Sequence, residues 1–412
     1  MNFVGTLGFS IVLPFLVYLV TMWGGNALVF GLMGATYSAF QLVGAPILGR
    51  WSDIFGRRKI LLLSQVGTLL SWGIFLAAFF LPVYTLREID SPYLGQFTLT
   101  LPLLVVFLAR AMDGITGGNV SVANAYLADI STAKTRTANF GKMALSGNLG
   151  FIIGPALAGL LGATIMGEML PVIAALLISL VATLLIAFGL RETRLASPKN
   201  IPQPCKLRKT FGQEHKECYR LEGQGKTGVR VIFSRPDIPA LMGINFLVML
   251  GFSFFYISFP INAVQGLGWS IIQTGTFLAI LSLMMVVVQG PILARVSKIC
   301  AARTLAILGS LVLAGGFALF VSGNEIVLYG GALLVAIGNG LMWPSVMALV
   351  AERAGEGFQG AVQGFAGSSG AVASIVGLAG GGLLFEVIGP SEFFVAGAII
   401  GLVSIIGLSL RK

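Results

Sequence analysis

Stretches of about 20 apolar residues recur along nearly the whole of this 412-residue chain, and they fix its solvent before any motif is considered. A hydrocarbon core of roughly 30 Å is crossed by about 20 residues rising 1.5 Å each, so each run is long enough to span one. Twelve runs are legible, the first at 3–23, the fourth at 99–127, the seventh at 238–264 and the last at 393–410. Backbone polar groups in lipid must be satisfied within the protein, which makes such runs helices. With 56% of residues hydrophobic and 10% charged, the chain lacks the polar surface a water-soluble globule needs. The expected fold is an all-α membrane protein of twelve transmembrane helices. No basic segment precedes the first run and no small-residue cleavage site follows it, so it reads as a retained helix, not a signal peptide.

A net charge of +10 invites a nucleic-acid reading, and the placement of the charges argues against it. Of 26 Lys and Arg, 24 fall in the loops after even-numbered runs or at the C-terminus, the exceptions being Arg87 and Arg110. By the positive-inside rule those loops face the cytoplasm, as do both termini, and the chain is a multi-pass protein of the cell inner membrane. Cys205, Cys218 and Cys300 then sit on the reducing side, where no disulfide is expected. His215 lies between two of these cysteines but lacks a fourth ligand, so neither a metal nor a cofactor is expected. No phosphate-binding loop, Ser-His-Asp set or carboxylate dyad occurs, and the chain does not read as an enzyme.

Residues 192–238 break the hydrophobic rhythm with Pro198, Pro202 and Pro204 and a charged stretch, which divides the chain into 1–191, a cytoplasmic linker at 192–238, and 239–412. The two halves echo each other. Leu7-Gly8-Phe9-Ser10 recurs as Leu250-Gly251-Phe252-Ser253, 243 positions later, and Pro46-Ile47-Leu48-x-Arg50-x-Ser52 recurs as Pro291-Ile292-Leu293-x-Arg295-x-Ser297, 245 positions later. A duplicated six-plus-six arrangement predicts two pseudo-symmetric bundles with a cavity between them near the bilayer midplane.

The loop Gly49-Arg50-Trp51-Ser52-Asp53-Ile54-Phe55-Gly56-Arg57-Arg58-Lys59 resembles the signature of major facilitator transporters between helices 2 and 3. Gly49 and Gly56 permit a tight turn, and Asp53 can pair with arginines such as Arg57 and Arg58. The resemblance implies that Asp53 meets the start of helix 11 and latches the cytoplasmic side. Lys298 takes the place of Asp53 in the second half, so that copy of the latch is expected to be degenerate.

Run 4 holds Arg110 and Asp113, three residues apart on one helical face. At about 1.5 Å per residue, Asp113 lies about 21 Å from Leu99 and about 24 Å from Asp129, which is mid-membrane. A charge there costs on the order of 2.5–3.5 kcal/mol, so the pair needs a reason. Arg110 neutralising Asp113 is one. Proton coupling is the other: burial disfavours the carboxylate, the guanidinium favours it, and cargo can tip the balance. One proton moving down 100 mV supplies about 2.3 kcal/mol, enough for a gradient of about fifty-fold. The segment resembles the antiporter motif of the same transporters, with Asp113 where relatives carry Gln or a small residue.

Run 5 reads Gly147-x-x-Gly150-Phe-Ile-Ile-Gly154-Pro155-Ala-Leu-Ala158-Gly159 and resembles the glycine-proline motif of antiporters. Small residues at this spacing let helices meet backbone to backbone, and Pro155 bends the helix, which suits a pivot between halves. With Leu190-Arg191-Glu192-Thr193, these motifs cover the first half and resemble the drug/proton antiporter branch that includes tetracycline exporters. Those exporters carry acids within helices 1 and 3 where this chain has Gly5 and Ser71, which argues against tetracycline as cargo.

Several polar residues within spans, among them Gln41, Asn119, Asn148, Asn339 and Gln363, must find partners and are candidate cavity residues with Phe252 and Tyr256 of run 7. The implied function is proton-coupled export of a small amphiphilic or drug-like molecule by alternating access, by a monomer whose partners are cargo, protons and lipid. A symporter importing a sugar or organic anion is the alternative, with Arg110 gripping the anion, and a non-transporting scaffold or receptor is a third reading.

Overall fold

A computed structural model describes residues 2–117, 122–123, 126–127, 130, 136–192, 237–354 and 359–410. Except for its two ends the linker lies outside the described residues, and so does the 118–121 segment that contains Asn119.

Among the described residues twelve long helices follow one another: α1 Asn2–Met22, α2 Ala27–Phe55, α3 Arg57–Ala77, α4 Leu101–Thr116, α5 Arg136–Gly162, α6 Met169–Leu184, α7 Ile238–Ile261, α8 Ile271–Val287, α9 Ala302–Leu319, α10 Glu325–Ala354, α11 Gln359–Ile388 and α12 Glu392–Ser409. Their starts and stops follow local chemistry. Asn26 caps α2 by accepting the Val29 N–H at 3.1 Å, and Ser270 with Gln273 forms a reciprocal capping box at α8. Gly56 adopts φ 103°, and α2 turns into α3 with no other intervening residue. Wider π turns extend α6 at Leu185–Gly189, α7 at Asn262–Gly266 and α8 at Val288–Ile292.

Pairings between helices repeat after six. In the first half α1 packs on α5, α2 on α4 and α3 on α6; in the second α7 packs on α11, α8 on α10 and α9 on α12. The halves meet along α2 with α11 and along α5 with α8, which are themselves related by the same shift. This is the geometry of a duplicated bundle. Large apolar side chains on the outer helices face outward with helical spacing, as with Leu177, Val181, Leu184 and Phe188 on the α6 segment and Leu402, Ile405 and Leu408 on α12. With no water to hide from, that face is where hydrocarbon belongs. Eight stretches are long and apolar enough to cross a membrane on these criteria alone, one of them running through both α11 and α12.

One element was not expected from the sequence. Between α3 and α4 the chain forms an antiparallel hairpin, β1 Thr85–Ser91 with β2 Gly95–Thr100, in which Ile89 faces Phe97 and Asp90 faces Gln96. Leu99 and Thr100, expected to open helix 4, belong to β2, and α4 starts at Leu101 with Pro102 in its first turn. The hairpin is tied to the α1–α2 turn by Thr98 N–H to Gly24 O at 2.7 Å and by the Thr100 hydroxyl to Trp23 O at 2.9 Å.

The bundle has two unlike ends, one carrying the basic loops and one carrying the hairpin. At the hairpin end the core of the first half is continuous with Ile257, Ile261, Ile271 and Phe385 of the second. The Tyr18 hydroxyl donates to Trp269 O at 2.8 Å and lies 2.9 Å from that of Thr274. The halves are thus sealed together at this end.

Candidate functional site

Close helix approach creates the site. A Cβ on Gly44 of α2 would fall 2.1 Å from Ile115 O of α4, and one on Gly114 would fall 2.4 Å from Tyr37 O, so only glycine lets these backbones touch. On the other side Ser71 of α3 donates to Ala109 O at 2.7 Å, and the Ser64 hydroxyl donates to Thr116 O. Ser71 is thus a strap between α3 and α4. The last described turn of α4 is therefore held from both flanks.

Arg110 and Asp113 occupy that turn and the one before it. Arg110 Nη1 lies 3.5 Å from Asp113 Oδ2, and the residues are 4% and 9% exposed, so the pair faces the bundle interior and not lipid. The ring of Tyr37 lies under the guanidinium, 4.6 Å from centroid to Cζ. Gln41, one turn further along α2, donates from Nε2 to the Tyr37 hydroxyl at 3.2 Å and to Gly117 O at 3.1 Å. Among the described residues Arg110 Nε is buried without a hydrogen-bond partner, and the cation is held by one ion pair and one aromatic face.

Asp113 opens onto a cavity of about 300 Å³. Tyr37, Ser38 and Gln41 of α2, Gln65, Thr68 and Trp72 of α3, and Ser179 of α6 supply its polar and aromatic walls, Gly5 of α1 lies along it, and Ser374 of α11 closes it from the second half. Gln65 is held by donating to the Ser179 hydroxyl at 2.9 Å. Among the described residues no Lys or Arg lines the cavity, and the Asp113 carboxylate is the one formal charge they show to its contents.

The other expected residues divide. In the signature loop, Arg57 Nη1 donates to the Ser52 hydroxyl at 2.6 Å, the Arg58 N–H donates to Glu192 Oε1 at 3.1 Å, and the Arg58 guanidinium reaches Ala187 O. A Cβ on Gly56 would meet that same Glu192 carboxylate at 2.7 Å. These contacts clamp the loop to the end of α6 within one half. The side chain of Asp53, and with it the contact to helix 11, lies outside the described residues; Gly49 is still helical at the end of α2.

In α5 the glycines point two ways. Gly150 and Gly154 lie against α1, where the Ser10 hydroxyl donates to Gly150 O at 2.8 Å, whereas Gly159 meets Gly275 of α8 beside Pro155 O. The Pro155–Gly159 part therefore touches the other half, as does Gly162, where a Cβ would meet the Ile271 side chain of α8 at 2.5 Å. Phe252 does not line the described cavity. It packs edge-on against Phe317 at 5.8 Å, in an aromatic core with Phe255, Phe259, Phe277 and Phe320, because ring faces gain more from one another than from a polar chamber. Tyr256 sits beside it at 6.1 Å, at the edge of that core. Asn339 donates to Met285 Sδ at 3.5 Å and so bridges α10 to α8 instead of facing the described cavity. The side chains of Asn148 and Gln363 lie outside the described residues.

Tyr37, Gln65, Thr68, Trp72 and Ser179 were missed in the sequence. Tyr37 was findable, since it precedes Gln41 by one helical turn; the others become visible only when α3 and α6 are placed against α4.

The family model described as Major Facilitator Superfamily matches residues 1–299 and 241–412. The tetracycline resistance protein, class B, of Escherichia coli is 27% identical over 359 residues, covering 87% of this chain and 78% of that protein. Among solved structures, the human organic anion transporter MFSD10 (TETRAN) matches with a TM-score of 0.67 at 23% identity, over 98% of this chain and 96% of its own. The D-xylose-proton symporter matches with a TM-score of 0.75 at 14% identity, over 100% and 96%, a likeness of fold alone. A duplicated twelve-helix bundle, a charged pair opening on an internal chamber and a family match along the whole length lead to one conclusion: the chain belongs to the Major Facilitator Superfamily and is a membrane transporter, not an enzyme.

Proposed function

We propose that the protein exports small amphiphilic or drug-like molecules in exchange for protons, by alternating access, with the basic loops on the cytoplasmic side. The observation that carries this reading is the Asp113 carboxylate at the cavity wall, paired to a buried Arg110 and accompanied by no other charge among the described lining residues. A proton on Asp113 and a cationic or hydrogen-bonding cargo compete for one group, and competition for one group is what obligate exchange needs. Trp72 and Tyr37 offer apolar faces, while Gln41, Gln65 and Ser179 offer hydrogen bonds. With the hairpin end sealed, the state described is the one in which cargo would enter from the cytoplasm.

Import of a sugar or organic anion is the second reading, favoured by the proton symporter and organic anion transporter of similar fold. The cavity speaks against an anion, because Arg110 stands behind Tyr37 and Asp113 and is not among its lining residues. In inverted membrane vesicles, Asp113→Asn is expected to abolish uptake of a lipophilic cation driven by a pH gradient while the purified protein still binds it. Full gradient-driven uptake by that variant removes the proposal.

A further inference from the structure

At the hairpin end one acidic side chain crosses from the second half to the first. Glu386, in the last turns of α11, accepts the N–H of Ala27 on Oε2 at 3.2 Å. Its Oε1 lies against Gly95 in the hairpin turn, where a Cβ would come within 2.2 Å of it. Ala27 is the first residue of the 29-residue α2. First-turn amides have no partner within their own helix, and the aligned peptide dipoles leave partial positive charge there. Asn26 has already spent its side chain, with Oδ1 on Val29 N–H and Nδ2 donated to Leu94 O. The Ala27 amide is thus taken by a carboxylate of the opposite half.

The backbones around this contact are close enough to need glycine. A Cβ on Gly382 would fall 2.5 Å from Ala27 O, and one on Gly31 would fall 2.3 Å from Leu378 O. Gly95 itself has φ 71°, a conformation that glycine adopts freely. The hairpin is anchored to the first half through Gly24, Trp23 and Asn26, so hairpin, α2 and α11 converge on one carboxylate.

We propose that Glu386 is the gating residue of the hairpin end: seated on the N-terminus of α2 and against Gly95, its charge holds the two halves shut there. Losing the charge shifts the transporter toward the state open at that end. A neutral replacement keeps the shape and forfeits most of the attraction, because hydrogen bonds to ionised acceptors are the stronger kind. The inference concerns the gate alone and stands whatever the cargo or its coupling.

The test uses full-length protein in nanodiscs, with Cys205, Cys218 and Cys300 replaced by serine and spin labels at Ile165→Cys and Ile326→Cys. These exposed positions lie at the hairpin end of the first and second half. The unsubstituted gate is expected to give mainly the shorter inter-label distance by pulsed electron resonance. Glu386→Gln is expected to lower the closed-to-open ratio by about threefold and Glu386→Ala by about tenfold. Gly95→Ala, which displaces the carboxylate, moves it the same way, while Glu88→Gln, an exposed acid on the same hairpin, leaves it unchanged. Unchanged distances in both Glu386 variants overturn the proposal. So does a shift in the alanine variant with none in the glutamine variant, since packing and not charge would then hold the gate.

Discussion

Arg110 illustrates how a full positive charge is kept among lipid-crossing helices. It has one acidic partner on its own helix and one aromatic face supplied by α2. Cation–π contacts are worth about 0.5–2 kcal/mol, more when water is excluded. Tyr37→Leu is therefore expected to lower the melting temperature of the purified protein, while Tyr37→Phe, which keeps the ring, stays close to wild type. Equal melting of the two variants would show that the ring does not hold the cation. The pairing of Arg110 with Asp113 was legible from spacing alone, because residues three apart on a helix share a face. The contribution of Tyr37 was not, because its alignment with α4 depends on Gly44 of α2 and Gly114 of α4 letting the two backbones touch, and sequence spacing carries no register between helices. Phe252 was misplaced for a related reason, since a row of phenylalanines looks the same whether it lines a chamber or fills a core.

At the level of elements, glycine decides which helices touch. Gly44→Leu is expected to destabilise the protein by more than the roughly 1–3 kcal/mol usual for an overfilled core, because backbone and not a movable side chain occupies the space. Gly243→Leu on α7, which meets nothing within 4 Å, serves as the comparison, and thermal unfolding of the two in the same detergent measures the difference. Equal losses would mean that the α2–α4 contact is less strict than its geometry. In the α5 motif Gly150 and Gly154 pack against α1, while Pro155 and Gly159 meet α8 of the other half. The hairpin escaped the reading because its strands are short, β1 mostly exposed and β2 mostly half-buried, so neither burial nor length marks them out. Its turn, moreover, is Pro92-Tyr93-Leu94, closed by Gly95, without the Asn-Gly pair that announces a tight hairpin.

The whole molecule was the most legible scale. Twelve helices follow from lipid acting as solvent, a constraint that acts on every residue of every span and so survives errors at boundaries, and the duplication follows from the segments repeated 243 and 245 positions apart. Which end is closed could not be read, because one sequence serves both arrangements, which differ only in how the halves lean. The sealed hairpin end and the chamber beside Asp113 predict unequal access. Gly5→Cys, at a position with open space around it, should react with a charged thiol reagent applied from the basic-loop side, in a background lacking the native cysteines. Ile257→Cys, buried in the shared core, should stay unlabelled, and rapid labelling there would contradict the seal.

The hairpin itself has no twin. Where it stands between α3 and α4, the second half joins α9 to α10 by residues 320–324 only. Gene duplication left the membrane-embedded parts alike and let the watery connectors diverge, so this mouth carries a protruding handle on one side only. An antibody fragment raised to fold around that handle would grip a single lobe, and could arrest the cycle without ever competing for the chamber.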